Sequence, residues 1–418
     1  MKIAVVGIGK VGLPFAVVAS RSHKVVGIDI DNKWIAKLKA NVSLVEPDLN
    51  EFLIKYPFKK TTDFSEILGS EIVFVVVGSQ REGYSVDTVL SSLKMIIPYL
   101  VDENQVLTII STIKPGSMRN HIIPFLSKNK VFQRIRGICY NPVFVALGSA
   151  IEYFNNPGYI VIGESNPEAG MLLESFYRKI CCYGVKIYHN SLESVEVLKF
   201  ALNLSLINKI CLLNTITEFC EKYFADVDFI AEIMKEDPRI AGKKMFKGGL
   251  GFGGTCFPVD AISFRESQNE KNLDTSLIDA IIRINEKQIN RTVKLLEGFS
   301  EKKISVLGVT YKPNVELTTE SQALEITKRI SKNKDVMIYD PSGIDNAKKE
   351  LKGGVRYART LEEALEFGEI ILIAVEWPQF SNISDEHLRK EQIIIDPWRL
   401  LKNKNLQTRY IPFGLAPS

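Results

Sequence analysis

Histidine and paired cysteines, the residues that most often hold metal ions, are scarce in this chain. Its 418 residues include four histidines and six cysteines, and the cysteines lack the Cys-x-x-Cys spacing of zinc sites. Six cysteines in a chain of this length do not make a disulfide framework. The sequence therefore predicts no metal site and no Ser-His triad. We expect five of the cysteines to be packing residues and one to be reactive.

Long apolar runs and a strong charge of one sign are also missing. No apolar stretch of about 18 residues occurs, and the first residues lack the pattern of a signal peptide. The formal net charge of +4 is small and gives no electrostatic footprint for nucleic acid. We therefore expect a cytoplasmic protein with neither nucleic acid nor membrane as a partner. The length allows two or three domains.

The first twenty residues combine a strand, a glycine-rich turn and a helix. An apolar strand at 3–6 runs into Gly-Ile-Gly-Lys-Val-Gly at 7–12, and an apolar helical run follows. In such a turn the glycines make the bend, let a pyrophosphate approach the backbone and allow close packing of helix on strand. The cofactor contacts predicted in this turn are Gly7, Gly9, Val11 and Gly12.

An acidic residue follows at the distance that a dinucleotide site requires. A second apolar strand at 25–28 ends in Asp29, which lies 22 residues after Gly7. That spacing is typical of the acid that bonds the ribose hydroxyls of an adenine dinucleotide. Because the same charge would repel the 2′-phosphate of NADP, the sequence predicts NAD as the cofactor.

Apolar strands and helical runs alternate at both ends of the chain, which is typical of helices covering a parallel sheet. Further strands are predicted at 72–77, 107–110, 160–162, 304–309, 336–339, 370–375 and 392–395. Helical spacing predicts one long helix from about Ser191 to Tyr223 and another from Leu273 to Leu296. We expect an α/β protein with two Rossmann-like doubly wound domains joined by a central helical domain. The predicted bounds are 1–190, 191–300 and 301–418.

The segment Gly-Phe-Gly-Gly-Thr-Cys-Phe-Pro-Val-Asp at 251–260 is the candidate centre of the chemistry. Its glycines let the backbone and a ligand come close to a single thiol, Cys256, which is the candidate nucleophile. A carboxylate, Asp260, follows four residues later. The alternative is a loop between two helices with a cysteine buried as a small apolar residue.

This segment resembles the active-site segment of the UDP-sugar 6-dehydrogenase family, which includes UDP-glucose, UDP-N-acetylmannosamine and GDP-mannose dehydrogenases. The resemblance extends over essentially all 418 residues. It implies an NAD-dependent, four-electron oxidation of a nucleotide sugar, with a UDP-sugar favoured, through a cysteine thiohemiacetal and thioester. It also implies a homodimer with the long helix at its core.

The resemblance assigns roles to further residues. Lys199 and Asn203 lie four apart on the long helix, so both project from one face. The family pattern makes them oxyanion partners, although on an exposed face they would be ordinary polar residues. The implied catalytic residues are Cys256, Lys199, Asn203, Asp260 and Thr112. The implied cofactor contacts add Lys33 and Thr112, for which the alternatives are a solvated helix lysine and a hydroxyl that closes a turn before proline. Ser79 is a further candidate cofactor contact, in a Val-Gly-Ser-Gln turn at 77–80 that departs from the family's Val-Pro-Thr-Pro. The implied substrate contacts are Lys199, Asn203, Arg239, Gly253 and Lys312.

Several positions depart from the family pattern. Val143 and Leu147 stand where the family has glutamates, and neither side chain can move a proton. Thr319 replaces the arginine of an Asp-Asp-x-Arg-Glu-Ser-Pro run, although Glu320 and Ser321 remain. We therefore expect slow thioester hydrolysis, or hydrolysis assisted by Asp260. Val259 favours an N-acetylated hexosamine, while Phe257 resembles the glucose enzymes.

Two other functions stay open at this stage. A catalytically impaired paralogue would keep the nucleotide and sugar sites without completing the oxidation, and the departures at Val143, Leu147 and Thr319 favour it. A 6-phosphogluconate-like or 3-hydroxyacid dehydrogenase would share the first domain and a helical domain. Such an enzyme would need neither the thiol nor a second Rossmann-like domain.

Overall fold

The computed structural model describes residues 1–40, 49–78, 86–145, 149–181, 184–238, 240 and 247–415. These residues form two compact units, Met1–Ala201 and Leu202–Ser418. The boundary lies within one helix of 32 residues, Leu192–Tyr223, which confirms the long helix predicted from apolar spacing.

The described part of the first unit contains an eight-stranded sheet. Its strands are β1 (Lys2–Val6), β2 (Lys24–Ile28), β3 (Lys59–Thr61), β4 (Ile72–Val75), β5 (Val106–Ile109), β6 (Gly137–Tyr140), β7 (Tyr159–Glu164) and β8 (Lys186–Ser191). Its helices are α1 (Gly12–Ser20), α2 (Asn32–Lys39), α3 (Leu49–Lys55), α4 (Asp87–Ile96), α5 (Ile123–Lys128), α6 (Ala150–Asn155), α7 (Pro167–Ile180) and the first part of α8 (Leu192–Tyr223).

The strand order is β3-β2-β1-β4-β5-β6-β7-β8, which begins with the order of a dinucleotide-binding fold. Strands β1, β4 and β5 are almost wholly apolar and buried because helices cover both faces of the sheet. One feature differs from an all-parallel sheet: β7 pairs antiparallel with β6. The sequence did not predict β6, whose four residues lie directly before Asn141 and Pro142.

His189, on β8, lies between the carboxylates of Glu164 on β7 and Glu174 on α7. His189 Nδ1 lies 2.6 Å from Glu164 Oε2, and its Nε2 lies 2.9 Å from Glu174 Oε2. Burial lowers the pKa of His189, but the hydrogen bonds that the ring makes to the Glu164 and Glu174 carboxylates, together with their negative charges, raise it by more, so the net pKa is raised above 6.5. The protonated ring therefore stabilises the fold.

We expect this stabilisation to depend on pH in one direction. A raised pKa in the folded state gives stability that is complete below the unfolded value and is lost as pH rises through the folded value. His189→Gln should therefore lower the melting temperature more at pH 5.5 than at pH 8.5, as scanning calorimetry would measure. An equal decrease at both pH values would contradict the assignment.

The described part of the second unit contains a six-stranded sheet in which every pairing is parallel. Its strands are β9 (Lys303–Leu307), β10 (Asp335–Tyr339), β11 (Arg356–Tyr357), β12 (Ile370–Ile373), β13 (Ile393–Asp396) and β14 (Arg409–Pro412). The helices are the rest of α8, then α9 (Val227–Glu236), α10 (Phe257–Glu270), α11 (Ser276–Glu297), α12 (Gln322–Ile330), α13 (Ile344–Leu351) and α14 (Leu361–Phe367).

The order β11-β10-β9-β12-β13-β14 repeats the dinucleotide-fold order of the first sheet. The structure therefore confirms two Rossmann-like sheets, with the helices α8 to α11 between them along the chain. The strands predicted from apolar runs are present, with ends that differ by one or two residues. Within the described ranges, no helix has the length and hydrophobicity needed to cross a bilayer.

Candidate active site

The glycine-rich turn after β1 has the shape that the sequence predicts. Gly7 has a φ of +92°, a left-handed conformation that glycine adopts without strain, and its N–H donates to the carbonyl of Ile28 at 2.8 Å. Gly12 is the first residue of α1, and a Cβ there would lie 1.9 Å from the carbonyl oxygen of Gly7. Val11 immediately precedes the helix. The turn is thus pressed tightly against the start of α1.

The space around this turn fits NAD. A Cβ built on Gly9 would meet nothing within 4 Å among the described atoms, so the backbone is open to a pyrophosphate there. Asp29 follows β2, and its Oδ2 accepts the N–H of Ile8 at 3.1 Å. Its Oδ1 accepts the N–H of Asp31 at 3.1 Å. Since Asp29 is only half-buried, its oxygens can also accept ribose hydroxyls.

Replacing Asp29 should change the choice of cofactor. Asp29→Ser removes the charge that repels a 2′-phosphate and weakens the bonds to ribose, each bond to a charged group contributing about 1.5–3 kcal/mol. We expect the ratio of kcat/KM for NAD over NADP to fall by about 10- to 100-fold. The exposed Lys37, also on α2, offers a control: Lys37→Gln should leave the ratio unchanged. An unchanged ratio in Asp29→Ser would contradict the ribose role.

The second sheet has the same turn but a different acid. Gly308 after β9 has a φ of +92°, and its N–H donates to the carbonyl of Tyr339. Asp340 after β10 accepts the N–H of Val309 at 2.7 Å and is almost completely buried. It also accepts from Ser342, Gly343 and the indole of Trp377. Because these bonds occupy the carboxylate, this acid cannot receive a ribose in the way that Asp29 can.

Cys256 stands at the N-terminus of α10 and is exposed. By contrast, Cys139, Cys211 and Cys220 are buried and Cys181 is half-buried. A helix N-terminus stabilises a nearby thiolate, which is the nucleophilic form of cysteine. The position of the thiol is therefore suited to nucleophilic attack. Within the described residues no group of three or more His, Cys, Asp or Glu side chains could hold a metal ion.

Asp260 is completely buried one turn after the thiol. Its backbone N–H donates to the carbonyl of Cys256 at 2.7 Å, as the first turn of α10 requires. The side-chain amide of Asn203, on α8, donates to Asp260 Oδ2. The structure thus brings two of the sequence-derived residues into direct contact and leaves the carboxylate one turn from the thiol.

Lys199 contacts the loop that departs most from the family pattern. Its Nζ donates to the carbonyl oxygen of Val143 at 2.9 Å and lies 5.0 Å from the ring centroid of Phe144. The ammonium is buried, whereas the Val143 side chain packs against the core of the first unit. Lys199 therefore donates a hydrogen bond to the backbone of Val143, the residue that stands where the family has a glutamate.

Thr112 lies in the turn after β5, half-buried. That turn is held by a residue that the sequence analysis missed, Glu196 on α8. Its two carboxylate oxygens accept the N–H groups of Gly116 and Met118, each at 2.8 Å. Burial raises the pKa of Glu196 to about 7, against the lowering effect of these bonds. The sequence did contain a signal for this role, because Glu196 lies three residues before Lys199 on the buried side of the predicted helix.

The turn that carries Lys312 reaches the thiol segment. Tyr311 precedes Lys312, and its ring would lie 2.6 Å from a Cβ on Gly254. Burial and then the charge of Cys256 raise the pKa of the Tyr311 hydroxyl. Gly253 is equally constrained, because a Cβ there would lie 2.2 Å from the carbonyl oxygen of Glu320. Lys312 itself is half-buried. Ser79, Leu147 and Arg239 lie outside the described residues.

Three family models match consecutive parts of the chain. Residues 1–181 match the NAD binding domain of the UDP-glucose/GDP-mannose dehydrogenase family. Residues 193–287 match the central domain of that family, and residues 305–403 match its UDP binding domain. Together these matches cover most of the sequence.

Individual proteins agree with the family models. A UDP-glucose 6-dehydrogenase from Rickettsia typhi is 31% identical over 445 residues, covering 99% of this chain and 99% of its own. The solved UDP-glucose dehydrogenase of Pyrobaculum islandicum superposes with a TM-score of 0.90 at 24% identity over 99% of this chain and 98% of that one, which shows the fold. A UDP-D-ManNAc dehydrogenase from Pyrococcus horikoshii gives a TM-score of 0.85 at 25% identity over 99% of both chains.

Proposed function

The chain belongs to the UDP-glucose/GDP-mannose dehydrogenase family of NAD-dependent oxidoreductases, and we propose that it oxidises C6 of a UDP-sugar from alcohol to acid. The observation that carries this proposal is an exposed thiol at the start of α10, one turn from the buried Asn203–Asp260 pair. A nucleophile is needed because the aldehyde stage must be held between two oxidations.

The reaction then proceeds in four balanced steps. Each of the two oxidations removes a hydride from C6, which NAD would accept when bound, and a proton from the hydroxyl on C6, which passes to solvent. Between them, the Cys256 thiol adds to the aldehyde to give a thiohemiacetal, and the second oxidation converts this to a thioester. Water cleaves the thioester and releases the acid and the thiol. Two NAD molecules are reduced for each sugar.

The remaining residues act on charge and protons. Asn203 and Lys199 stabilise the oxyanions that form at C6, because both present N–H donors in largely buried positions. Asp260 and Thr112 position or deprotonate the attacking water. Gly253, Lys312 and Arg239 are proposed to contact the substrate. Lys33 and Ser79 are proposed to contact the cofactor.

The departures from the family pattern affect the last step most. Val143 cannot act as a base, and its carbonyl occupies Lys199. We therefore propose that hydrolysis of the thioester limits turnover and depends on Asp260. The alternative is that the chain is a catalytically impaired paralogue, which binds NAD and the nucleotide sugar but does not complete the oxidation to the acid. Val259 favours an N-acetylated hexosamine, and the Rickettsia relative favours UDP-glucose.

The decisive assay measures how many NADH molecules form for each sugar molecule consumed. UDP-glucose, UDP-galactose, the UDP-N-acetylhexosamines and GDP-mannose are each offered with NAD, and both NADH and acid are measured. Two NADH per sugar consumed supports the complete reaction. No NADH with any of these sugars, together with retained binding, would establish the impaired paralogue instead.

We propose that three domains, at 1–190, 191–300 and 301–418, assemble as a homodimer through the long helix. Large apolar side chains are exposed along the end of α8 and on α9: Phe219 is 63% exposed, Tyr223 73% and Phe229 64%. The rings of Phe219 and Tyr223 stack at 5.5 Å. An apolar surface of this kind is typical of a face that a second copy covers.

A charge in this face should separate the subunits. Phe219→Glu is expected to convert a dimer of about 94 kDa, twice the 47.1 kDa chain, to a monomer, as light scattering after gel filtration would measure. Leu277→Glu changes an apolar residue that is 69% exposed on α11, and it should leave the mass unchanged. A monomeric wild-type protein would contradict the homodimer.

A further inference from the structure

The loop before Cys256 is fixed through the backbone of one residue, Phe252. The N–H of Phe252 donates to Asn285 Oδ1 at 2.8 Å, and Asn285 Nδ2 donates back to the carbonyl of Phe252 at 3.0 Å. A second amide, Gln322 Nε2, donates to the same carbonyl. Both polar groups of one loop residue are thus satisfied by side chains more than 30 residues away.

The two amides come from different elements. Asn285 lies in the middle of α11, and Gln322 is the first residue of α12, directly after Ser321, whose hydroxyl caps that helix. Gln322 is buried. In the Asp-Asp-x-Arg-Glu-Ser-Pro run, this position is proline, which has no side-chain amide to donate. The bond from Gln322 is therefore a feature of this sequence.

The surroundings leave the loop little freedom. The Phe252 side chain is buried with Ile278 and Ile281, and its ring lies 6.3 Å from that of Phe257, on the other side of Cys256. Gly251 has a φ of +119°, and a Cβ there would lie 2.2 Å from Asn285 Oδ1. The asparagine thus fits against a backbone that only glycine allows.

We propose that Asn285 and Gln322 are positioning residues that hold the Phe252 backbone and thereby fix the place of the Cys256 thiol. This inference rests on the proposed function for its kinetic consequence. Its structural consequence, a rigid loop and a thiol of defined reactivity, does not depend on the substrate.

Two variants remove the amides with little change of volume. Gln322→Met removes one donor to the Phe252 carbonyl, and Asn285→Leu removes the two hydrogen bonds that Asn285 makes with the Phe252 backbone. Small displacements of a reacting group are costly, so we expect kcat to fall about 10-fold in Gln322→Met and about 100-fold in Asn285→Leu. The KM for NAD should stay within about twofold, because the NAD-binding turn is unchanged.

A matched control separates positioning from general stability. Gln288→Met changes a second buried glutamine, which lies on α11. Its Nε2 donates to Glu218 Oε1 at 3.4 Å and not to Phe252. We expect wild-type kcat in this variant. If Gln322→Met and Asn285→Leu match Gln288→Met in kcat and in the alkylation rate of Cys256, the inference is overturned.

Two readouts do not require turnover. The rate at which iodoacetamide alkylates Cys256 should change at least about threefold in both variants, because the thiol moves relative to α10. In the wild type, the Phe252 amide should exchange with solvent about 100-fold more slowly than an exposed amide, since it is hydrogen-bonded to Asn285 and its residue is buried. Fast exchange at Phe252 would overturn the inference even if a variant failed to fold. Slow exchange of the Phe252 amide and altered alkylation of Cys256, without oxidation of any sugar, would support the positioning role of Asn285 and Gln322 and would refute the proposed function.

Discussion

Cys256→Ala is expected to abolish formation of the acid. In the proposed mechanism the thiol holds the aldehyde for the second oxidation, and loss of a covalent nucleophile lowers kcat by about 10⁴-fold or more. NAD binding should persist, because the glycine-rich turn and Asp29 lie in the other compact unit. The measurement is the rate of acid formation by chromatography, with NAD affinity from fluorescence quenching.

The control for this experiment is another cysteine. Cys220 lies near the end of α8, where it is buried with Val227, and burial raises the pKa of its thiol. Cys220→Ala should therefore keep wild-type activity. Acid formation by Cys256→Ala at more than about one tenth of the wild-type rate would show that the thiol does not carry the intermediate.

Asp260→Asn should stall the reaction at the thioester. The carboxylate is completely buried, one turn from Cys256, and accepts a hydrogen bond from Asn203. An amide of the same shape therefore preserves the packing and removes the proposed base. Loss of a general base costs about 10²- to 10⁴-fold, and we expect kcat to fall by at least about 100-fold. The first turnover should still release two NADH per active site as a burst.

The burst separates this role from a structural one. Asp279→Asn makes the same change on α11, where Asp279 accepts a hydrogen bond from Thr275, and should leave both the burst and the steady rate unchanged. A variant of Asp260 that loses the burst together with the steady rate would assign Asp260 to an earlier step. Hydrolysis would then depend on another group.

The sequence identified those features that depend on local pattern. The turn from Gly7 to Gly12 and the acid Asp29 were found because their spacing along the chain is fixed by a single strand, turn and helix. The long helix α8 was found because apolar residues recur regularly through it. Each of these signals lies within about thirty residues.

Contacts between distant segments were not accessible in this way. Glu196 holds the turn at Gly116 from 80 residues away, and Gln322 holds Phe252 from 70 residues away. A buried glutamate or glutamine has no periodic pattern, and its partner is a backbone group that every residue possesses. The antiparallel pairing of β7 with β6 was missed for the same reason. The direction of a strand relative to its neighbour depends on the path of the chain between them, which no local pattern records.

The most direct test of the account is rapid-quench mass spectrometry of the peptide that contains Cys256 during a single turnover with NAD and a UDP-sugar. The account predicts that this peptide transiently gains the mass of the oxidised nucleotide sugar, and that the adduct decays as the acid appears. Acid formation at the ordinary rate, with the peptide unmodified at every time point, would contradict it.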